Sequence, residues 1–264
     1  MNIIVCVKQV PDTAEIKIDP VTNTLIRDGV QSIMNPYDKY ALEMALELKD
    51  TMGAKVTVLT MGPPQAVAIL KDAIAMGADD VALISDRAFA GSDTLATSHA
   101  MVAAVKHVRD FDLILCGKQA IDGDTAQVGP EMAEHLNLPQ VTGATKIRIE
   151  DAKVLVDRDN ETTVQTIAVP LPALITVARS EKEPRFASIK GKMKARKMEI
   201  PTWSAADMNL DVNIIGLNGS PTKVVTVFTP PVAEISSEIF HEEDPQVAVD
   251  KLVGKLLEAR IIAR

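Results

Sequence analysis

The residues best suited to chemistry lie in one run, Gly117-Lys118-Gln119-Ala120-Ile121-Asp122-Gly123-Asp124-Thr125-Ala126-Gln127-Val128-Gly129-Pro130-Glu131. A strand-like run, Leu113-Ile114-Leu115-Cys116, precedes it, and a helix-like run, Glu131-Met132-Ala133-Glu134-His135-Leu136, follows. A polar, glycine-rich turn between strand and helix places unsatisfied N–H groups and the positive end of a helix dipole at a sheet edge. Phosphate groups bind readily there. Taken alone, the run fits a nucleotide site and an ordinary βα loop equally well. Other chemistries lack their residues. There is no Walker P-loop, no G-x-G-x-x-G and no G-x-S-x-G. His99, His107, His135 and His241 share no metal-ligand spacing with one another or with Cys6 and Cys116. Asp122-Gly123-Asp124 lacks the further acidic positions of a calcium loop. Redox or transfer chemistry on this chain therefore requires a bound cofactor.

The elements that must position this run are legible from periodicity. Residues 3–7 are a continuous apolar run, as in a strand buried on both faces. Residues 14–27 alternate weakly around Pro20 and Asn23 and suggest a hairpin. Asn35-Pro36-Tyr37-Asp38 reads as a helix start, with Asn35 as N-cap, Pro36 in the first turn and Asp38 complementing the dipole. The helix carries Ala41, Met44, Ala45 and Leu48 on one face and ends at Gly53. Val56–Thr60 is the next strand, Met61-Gly62-Pro63-Pro64-Gln65 a turn, and 65–76 a helix stopped by Gly77. Asp80–Ile84 is a strand. Asp93 suits the N-cap of a helix reaching Val108, with Leu95, Met101, Val102 and Val105 toward a core. This alternation predicts a doubly wound, mostly parallel α/β sheet of Rossmann-like type. Ligands bind such sheets beyond the carboxyl ends of the strands, where strand order reverses. Lys8, Met61 and Gly117 lie just past strand ends and can converge there.

Beyond residue 140 the pattern becomes β-rich. Runs at 146–149, 154–156, 163–169 and 173–177 extend the sheet with hairpins, and Pro170 and Pro172 mark an edge or a break. Residues 179–197 hold a basic cluster that reads as either a solvated face or a partner contact. The expected division is an α/β domain over 1–200 and an arm over 201–264. The arm ends in an amphipathic helix near 245–260 that needs a surface to bury against.

The chain has 264 residues, 47% of them hydrophobic, enough for a sizeable core. Aromatics are only 3% and the net charge is −8, which argues against a nucleic-acid reader. The two cysteines read as small buried hydrophobes. The first residues read as a strand rather than a signal peptide, and no apolar run reaches the ~18 residues of a membrane span. The expected location is the cytoplasm.

Seven motifs in order resemble the small (beta) subunit of electron-transferring flavoproteins. They are Val5-Cys6-Val7-Lys8, Met34-Asn35-Pro36-Tyr37, Met61-Gly62-Pro63, Ala75-Met76-Gly77-Ala78-Asp79, Gly117-Lys118-Gln119-Ala120-Ile121-Asp122, Glu183-Pro184-Arg185-Phe186 and Met193-Lys194-Ala195-Arg196-Lys197. The resemblance implies a heterodimer with an alpha subunit that carries an exchangeable flavin. It implies nucleotide contacts at Cys6, Val7, Lys8, Asn35, Tyr37, Asp38, Met61, Gly62 and across Gly117, Lys118, Gln119, Asp122, Gly123, Asp124, Thr125, Ala126, Gln127, Val128 and Gly129. It also implies a dehydrogenase-recognition segment over about 179–197, with Ile189 as apolar anchor and Arg185, Lys190, Met193 and Lys194 as partner contacts. The common form holds a structural AMP and carries Asn and Thr where this chain has Ala126 and Val128. That departure, with the Val7-Lys8-Gln9-Val10-Pro11-Asp12 start and the Val177-Ala178-Arg179-Ser180 turn, resembles the electron-bifurcating branch, whose beta subunit binds a second FAD. The branch implies hydride from NADH, one electron to ferredoxin or flavodoxin, and the other through the alpha flavin to an acyl-CoA dehydrogenase. Arg179 is then expected near the isoalloxazine, stabilising its reduced, anionic form. The alternatives are a non-catalytic subunit holding AMP and a stand-alone nucleotide-binding module.

Overall fold

The computed structural model describes residues 1–12, 32–160, 162–180, 182–226 and 237–263. The hairpin expected over 14–27 lies outside the described residues. The first strand, β1 (Asn2–Cys6), is followed by a short antiparallel pair, β2 (Gln9–Pro11) and β3 (Ser32–Met34). Next come α1 (Pro36–Met52), β4 (Lys55–Met61), α2 (Val67–Met76), β5 (Asp80–Ile84), α3 (Thr94–Val108), β6 (Leu113–Gly117) and α4 (Val128–Leu136). The second half contributes β7 (Gln140–Glu150), β8 (Lys153–Asp159), β9 (Val164–Pro170), β10 (Ala173–Val177), α5 (Ile189–Lys197), β11 (Thr202–Trp203) and α6 (Pro245–Glu258).

Among the described residues, nine strands form one sheet in the order β11-β5-β4-β1-β6-β10-β7-β8-β9. Pairings from β11 through β7 are parallel, and β8 and β9 add antiparallel ribs. The expected doubly wound, mostly parallel sheet with a hairpin extension is the observed one. Pro170 ends the edge strand β9, where a missing N–H breaks no ladder.

Alternate residues of each central strand feed two cores. Ile3, Val5, Val56, Val58, Leu113, Leu115 and Ile175 pack with α1 and α2 residues such as Leu42 and Leu70. Ile4, Cys6, Leu59, Ile114, Cys116 and Leu174 pack with α3 and α4 residues such as Met101 and Met132 on the other face. Both helix stops read from glycine hold: Gly53 adopts a left-handed conformation and returns its N–H to Lys49, and Gly77 bonds to Ala73 and Ile74. Asp93 caps α3 as expected, its carboxylate accepting from the Ala96 N–H.

The boundary expected at residue 200 moves. Met1–Thr226 is one compact unit and Val227–Arg264 a second. Residues just past 200 stay with the first unit because β11 pairs with β5 and Ala205, Met208 and Ile215 enter the second core. Asp93 also accepts from the backbone and hydroxyl of Thr222. In the second unit, Asp244 caps α6, which carries no buried residue. No described helix is long and apolar enough to cross a membrane.

Candidate functional site

Strand order reverses at β1. From it the sheet runs to β4 and β5 on one side and to β6 and β10 on the other. The crevice beyond the carboxyl ends of β1 and β6 is therefore the expected ligand position. Cys6 and Cys116 are register partners at those ends. Both side chains are buried, and burial, with a smaller contribution from Asp38, pushes the Cys6 thiol up to about 12. Neither thiol is suited to nucleophilic work. Any contact from this position falls to the backbone. Val7 likewise turns its side chain into the core beside α1.

The start of α1 organises the crevice. Asn35 and Asp38 read as a cap and a dipole partner, but neither side chain caps the helix. Asn35 makes no side-chain cap bond. Its amide instead donates to the Gln119 carbonyl (2.9 Å) and accepts from the Ile121 N–H (3.2 Å). Buried Asp38 accepts from the Lys8 N–H (2.7 Å) with one oxygen and the Gly117 N–H (3.0 Å) with the other. Both residues thus fasten strand ends and loop to one helix terminus. Local sequence could not separate these roles, because the Asn and Asp atoms that cap a helix can equally bond distant backbone. Burial, opposed by the hydrogen bonds from Asn35, Lys8 and Gly117, pushes the Asp38 carboxyl up to about 7. Gly117 has to lack a side chain, since a Cβ would stand 2.2 Å from Asp38 Oδ1 and 2.7 Å from Tyr37 Cβ. Tyr37 is thereby held against the loop at the mouth of β6.

Beyond Gly117 the Lys118 N–H bonds to the Val177 carbonyl (2.7 Å), tying the loop to β10. The Lys8 ammonium pairs with Asp122 at 2.6 Å across the crevice. Gln119 donates to the Asp124 carboxylate, and the Asp124 N–H returns to Ala120 (2.8 Å). Asp124 (φ 54°) and Ala126 (φ 55°) are both left-handed, while Gln127 is right-handed. Non-glycine residues seldom adopt the left-handed region, so two within three positions mark a constrained loop. A left-handed residue followed by a right-handed one turns successive N–H groups to the same side, which makes a concavity for an anion. The N–H groups of Thr125, Ala126, Gln127, Val128 and Gly129 donate to no described residue.

The helix α4 begins at Val128, earlier than the Glu131 suggested by periodicity, so Val128 and Gly129 are themselves first-turn donors. Gly129 sets the helix onto the sheet; a Cβ there would lie 2.8 Å from both Cys116 Sγ and Thr176 Cγ2. The Val128 side chain packs against the second core. The single hydroxyl of Thr94, at the start of α3, lies within donating distance of both Gln127 Oε1 (3.2 Å) and Glu131 Oε1 (3.0 Å), joining the two helix starts. Thr94 and Glu131 had no sequence signal beyond helix-start positions. Met61 and Gly62 follow β4, where the Gly62 N–H bonds to the Ile84 carbonyl (3.0 Å). Gly123 is open, with nothing within 4 Å of a Cβ.

The basic segment is a different place. Exposed Arg179 donates to Glu183 (2.9 Å), whose other oxygen accepts from Tyr40 (2.9 Å). Its recorded partners thus belong to the α1 side and not to the Gly117–Glu131 loop. Arg185 binds Glu43 through its backbone N–H, Nε and Nη2 (2.9–3.0 Å) and Asp50 at 2.8 Å, so it is engaged within the chain. Lys194 reaches the Ala78 carbonyl at 3.3 Å, just past the end of α2. Lys190 is exposed, as are Ile189 and Met193. Glu43 escaped sequence reasoning, although an acid within Ala41-Leu42-Met44-Ala45, all buried, is a readable sign of a charge partner.

With this geometry in place, comparison with known proteins is decisive. Residues 22–208 match the family profile described as Electron transfer flavoprotein domain. The chain is 51% identical over 270 residues to the electron transfer flavoprotein subunit beta of Megasphaera elsdenii, covering 99% of this chain and all of the relative. The chain belongs to the electron transfer flavoprotein beta-subunit family. It is also similar to the caffeyl-CoA reductase-Etf complex subunit CarD of Acetobacterium woodii, at 48% over 263 residues, with 99% of this chain and 100% of the relative covered. The protein FixA of Azotobacter vinelandii is 45% identical over 265 residues, covering 97% and 94%. The family assignment agrees with an α/β sheet whose strand-end crevice suits a nucleotide.

Proposed function

We propose that this beta subunit pairs with an electron transfer flavoprotein alpha subunit and binds an FAD of its own in the crevice between β1 and β6. The observation that carries the reading is the run of N–H groups from Thr125 to Gly129 that have no acceptor among the described residues, on a left-handed/right-handed turn at the start of α4. Such a cradle fits a pyrophosphate. Lys8, Asn35 and Asp38 hold the adenosine side in shape, with Tyr37, Met61 and Gly62 beside them. Ala126 and Val128 present no polar side chain to a monophosphate, and Val128 faces the core. That favours a dinucleotide held by backbone over an AMP held by side chains.

When bound, the FAD supplies hydride acceptance from NADH and division of the electron pair between ferredoxin or flavodoxin and, through the alpha flavin, an acyl-CoA dehydrogenase. The chain's own residues bind and orient. Its amides neutralise phosphate charge, Lys8–Asp122 bridges the crevice, and Arg179 supplies a cation just past β10. The exposed segment around Ile189 docks the dehydrogenase. The C-terminal unit, whose helix α6 has an apolar stripe and no buried residue, packs on the alpha subunit.

Counting cofactors in the purified heterodimer tests the reading. Two FAD per pair is the expected result. One FAD with one AMP assigns the crevice to a structural nucleotide and leaves electron transfer to the alpha flavin. Independently, Arg179→Ala should weaken FAD binding or slow NADH oxidation, and its assigned role fails if both stay unchanged.

A further inference from the structure

Phe186 is 98% exposed, Ile189 82% and Met193 56%, yet the backbone that carries them is fastened at both ends. On the N-terminal side, four residues of α1 meet three of the segment. Tyr40 holds Glu183, Glu43 holds Arg185, Glu47 holds Lys182, and Asp50 completes the Arg185 pairing. The Glu43 carboxylate is buried and takes the guanidinium edge-on, with Nε at 2.9 Å and Nη2 at 2.9 Å. On the C-terminal side, the Ser188 N–H bonds to the Ala75 carbonyl (3.1 Å), and Ser188 caps α5 through the Gly191 N–H (2.9 Å). Gly191 lies so close to α2 that a Cβ would stand 2.2 Å from the Ala75 oxygen. Ala195 is buried below it.

We propose that Arg185 is a positioning residue for docking rather than a partner contact. Its planar, two-pronged pairing with Glu43 and Asp50 sets the backbone from Phe186 to Met193 before any partner arrives. Association then does not have to order the segment, which is the physical gain of preorganisation. A lysine cannot reproduce a planar two-pronged contact. The exposed residues Lys190, Lys192 and Lys197 share this segment with the apolar side chains, so the surface suits a partner with an apolar socket and an acidic rim. The proposal rests on the docking role given above to the Ile189 segment.

The test uses the alpha–beta heterodimer and a purified acyl-CoA dehydrogenase, with KM for the dehydrogenase and kcat measured separately. Arg185→Met alone leaves Glu43 buried and unpaired, so the double variant Glu43→Gln/Arg185→Met is compared with it and with Ile189→Ala. Amide exchange over 186–193 reports order directly. The double variant is expected to raise KM about tenfold with kcat within about twofold, to accelerate exchange over 186–193, and Arg185→Lys to restore only part of the loss. If Ile189→Ala raises KM while the double variant does not, the positioning role is overturned and the docking reading survives. If neither changes KM, the docking reading falls and takes this proposal with it. A fall in kcat at unchanged KM also overturns it.

Discussion

Replacing Asp38 by Asn should change how stability depends on pH, with a sign opposite to that of most buried carboxylates in ion pairs. Among the described residues no cation forms an ion pair with the Asp38 carboxylate, though the Lys8 charge acts on it; its oxygens receive the N–H groups of Lys8 and Gly117 at 2.7 and 3.0 Å. Burial outweighs those bonds and raises the carboxyl from 3.8 to about 7. In the unfolded chain the proton leaves near the ordinary value; in the folded chain it stays until near neutrality. Between these limits the folded state binds more protons, so stability is fully present below the unfolded value and declines as pH rises through the folded one. About 3 units at ~1.4 kcal/mol each make a loss of about 4 kcal/mol, an order-of-magnitude figure. Asp38→Asn removes this titration. It keeps one of the two amide contacts and turns an NH2 toward the other N–H, which costs about 1–3 kcal/mol. The variant should therefore be clearly weaker than wild type near pH 4 and equal or stronger near pH 8. Urea unfolding of the purified chain, followed by the single tryptophan, Trp203, measures the difference across this range. The His107 ring lies 4.7 Å from that of Trp203, and loss of this packing on unfolding gives the signal. Parallel stability curves for wild type and variant would show that Asp38 exchanges no proton in this window and would refute the reasoning.

Gly117→Ala should destabilise the protein by about 2 kcal/mol or more and reduce nucleotide retention, because the added Cβ meets Asp38 Oδ1 at 2.2 Å and Asp38 N at 2.9 Å. Gly123→Ala, in open space, is the control, and equal urea midpoints for the two variants would contradict the close approach. Ala126→Gly should lie within about 1 kcal/mol of wild type, since relief of a left-handed alanine offsets the entropy of glycine. Ala126→Val should cost more, and the reverse order in urea melts would count against a left-handed turn there.

The βα rhythm from β1 to β6 was legible because apolar runs, proline starts and glycine stops are local signals. Gly53, Gly77 and Asp93 act where their residue types suggest. Pro170 and Pro172 pointed to an edge or a break, and β9 is the edge strand. Other features are set by partners far along the chain. Nothing in Ala173–Val177 shows that it enters between β6 and β7, because a buried parallel strand reads alike anywhere in a sheet. Likewise Thr202 and Trp203 became a strand only through their pairing with Leu83 and Ile84. Arg185 looked free for a partner because charge in a sequence does not name its counter-ion. Glu43 and Asp50 provide that counter-charge through folding.

The Gly117–Glu131 run and the motifs around it, by residue type and order alone, determined the family and the α/β class and pointed to the strand ends as the place for a nucleotide. Those properties depend on local periodicity and on residues kept in order along the chain. Tertiary structure decided how the site is held. It made Asn35, at the N-cap, and Asp38, in the first turn, fasteners of the loop, placed Asp124 and Ala126 in left-handed conformations, and left the amides of Thr125–Gly129 without an acceptor among the described residues. A short polar side chain can bond its own helix or a strand end elsewhere in the chain with similar energy. Only the approach of β1, β6 and α1 selects between them.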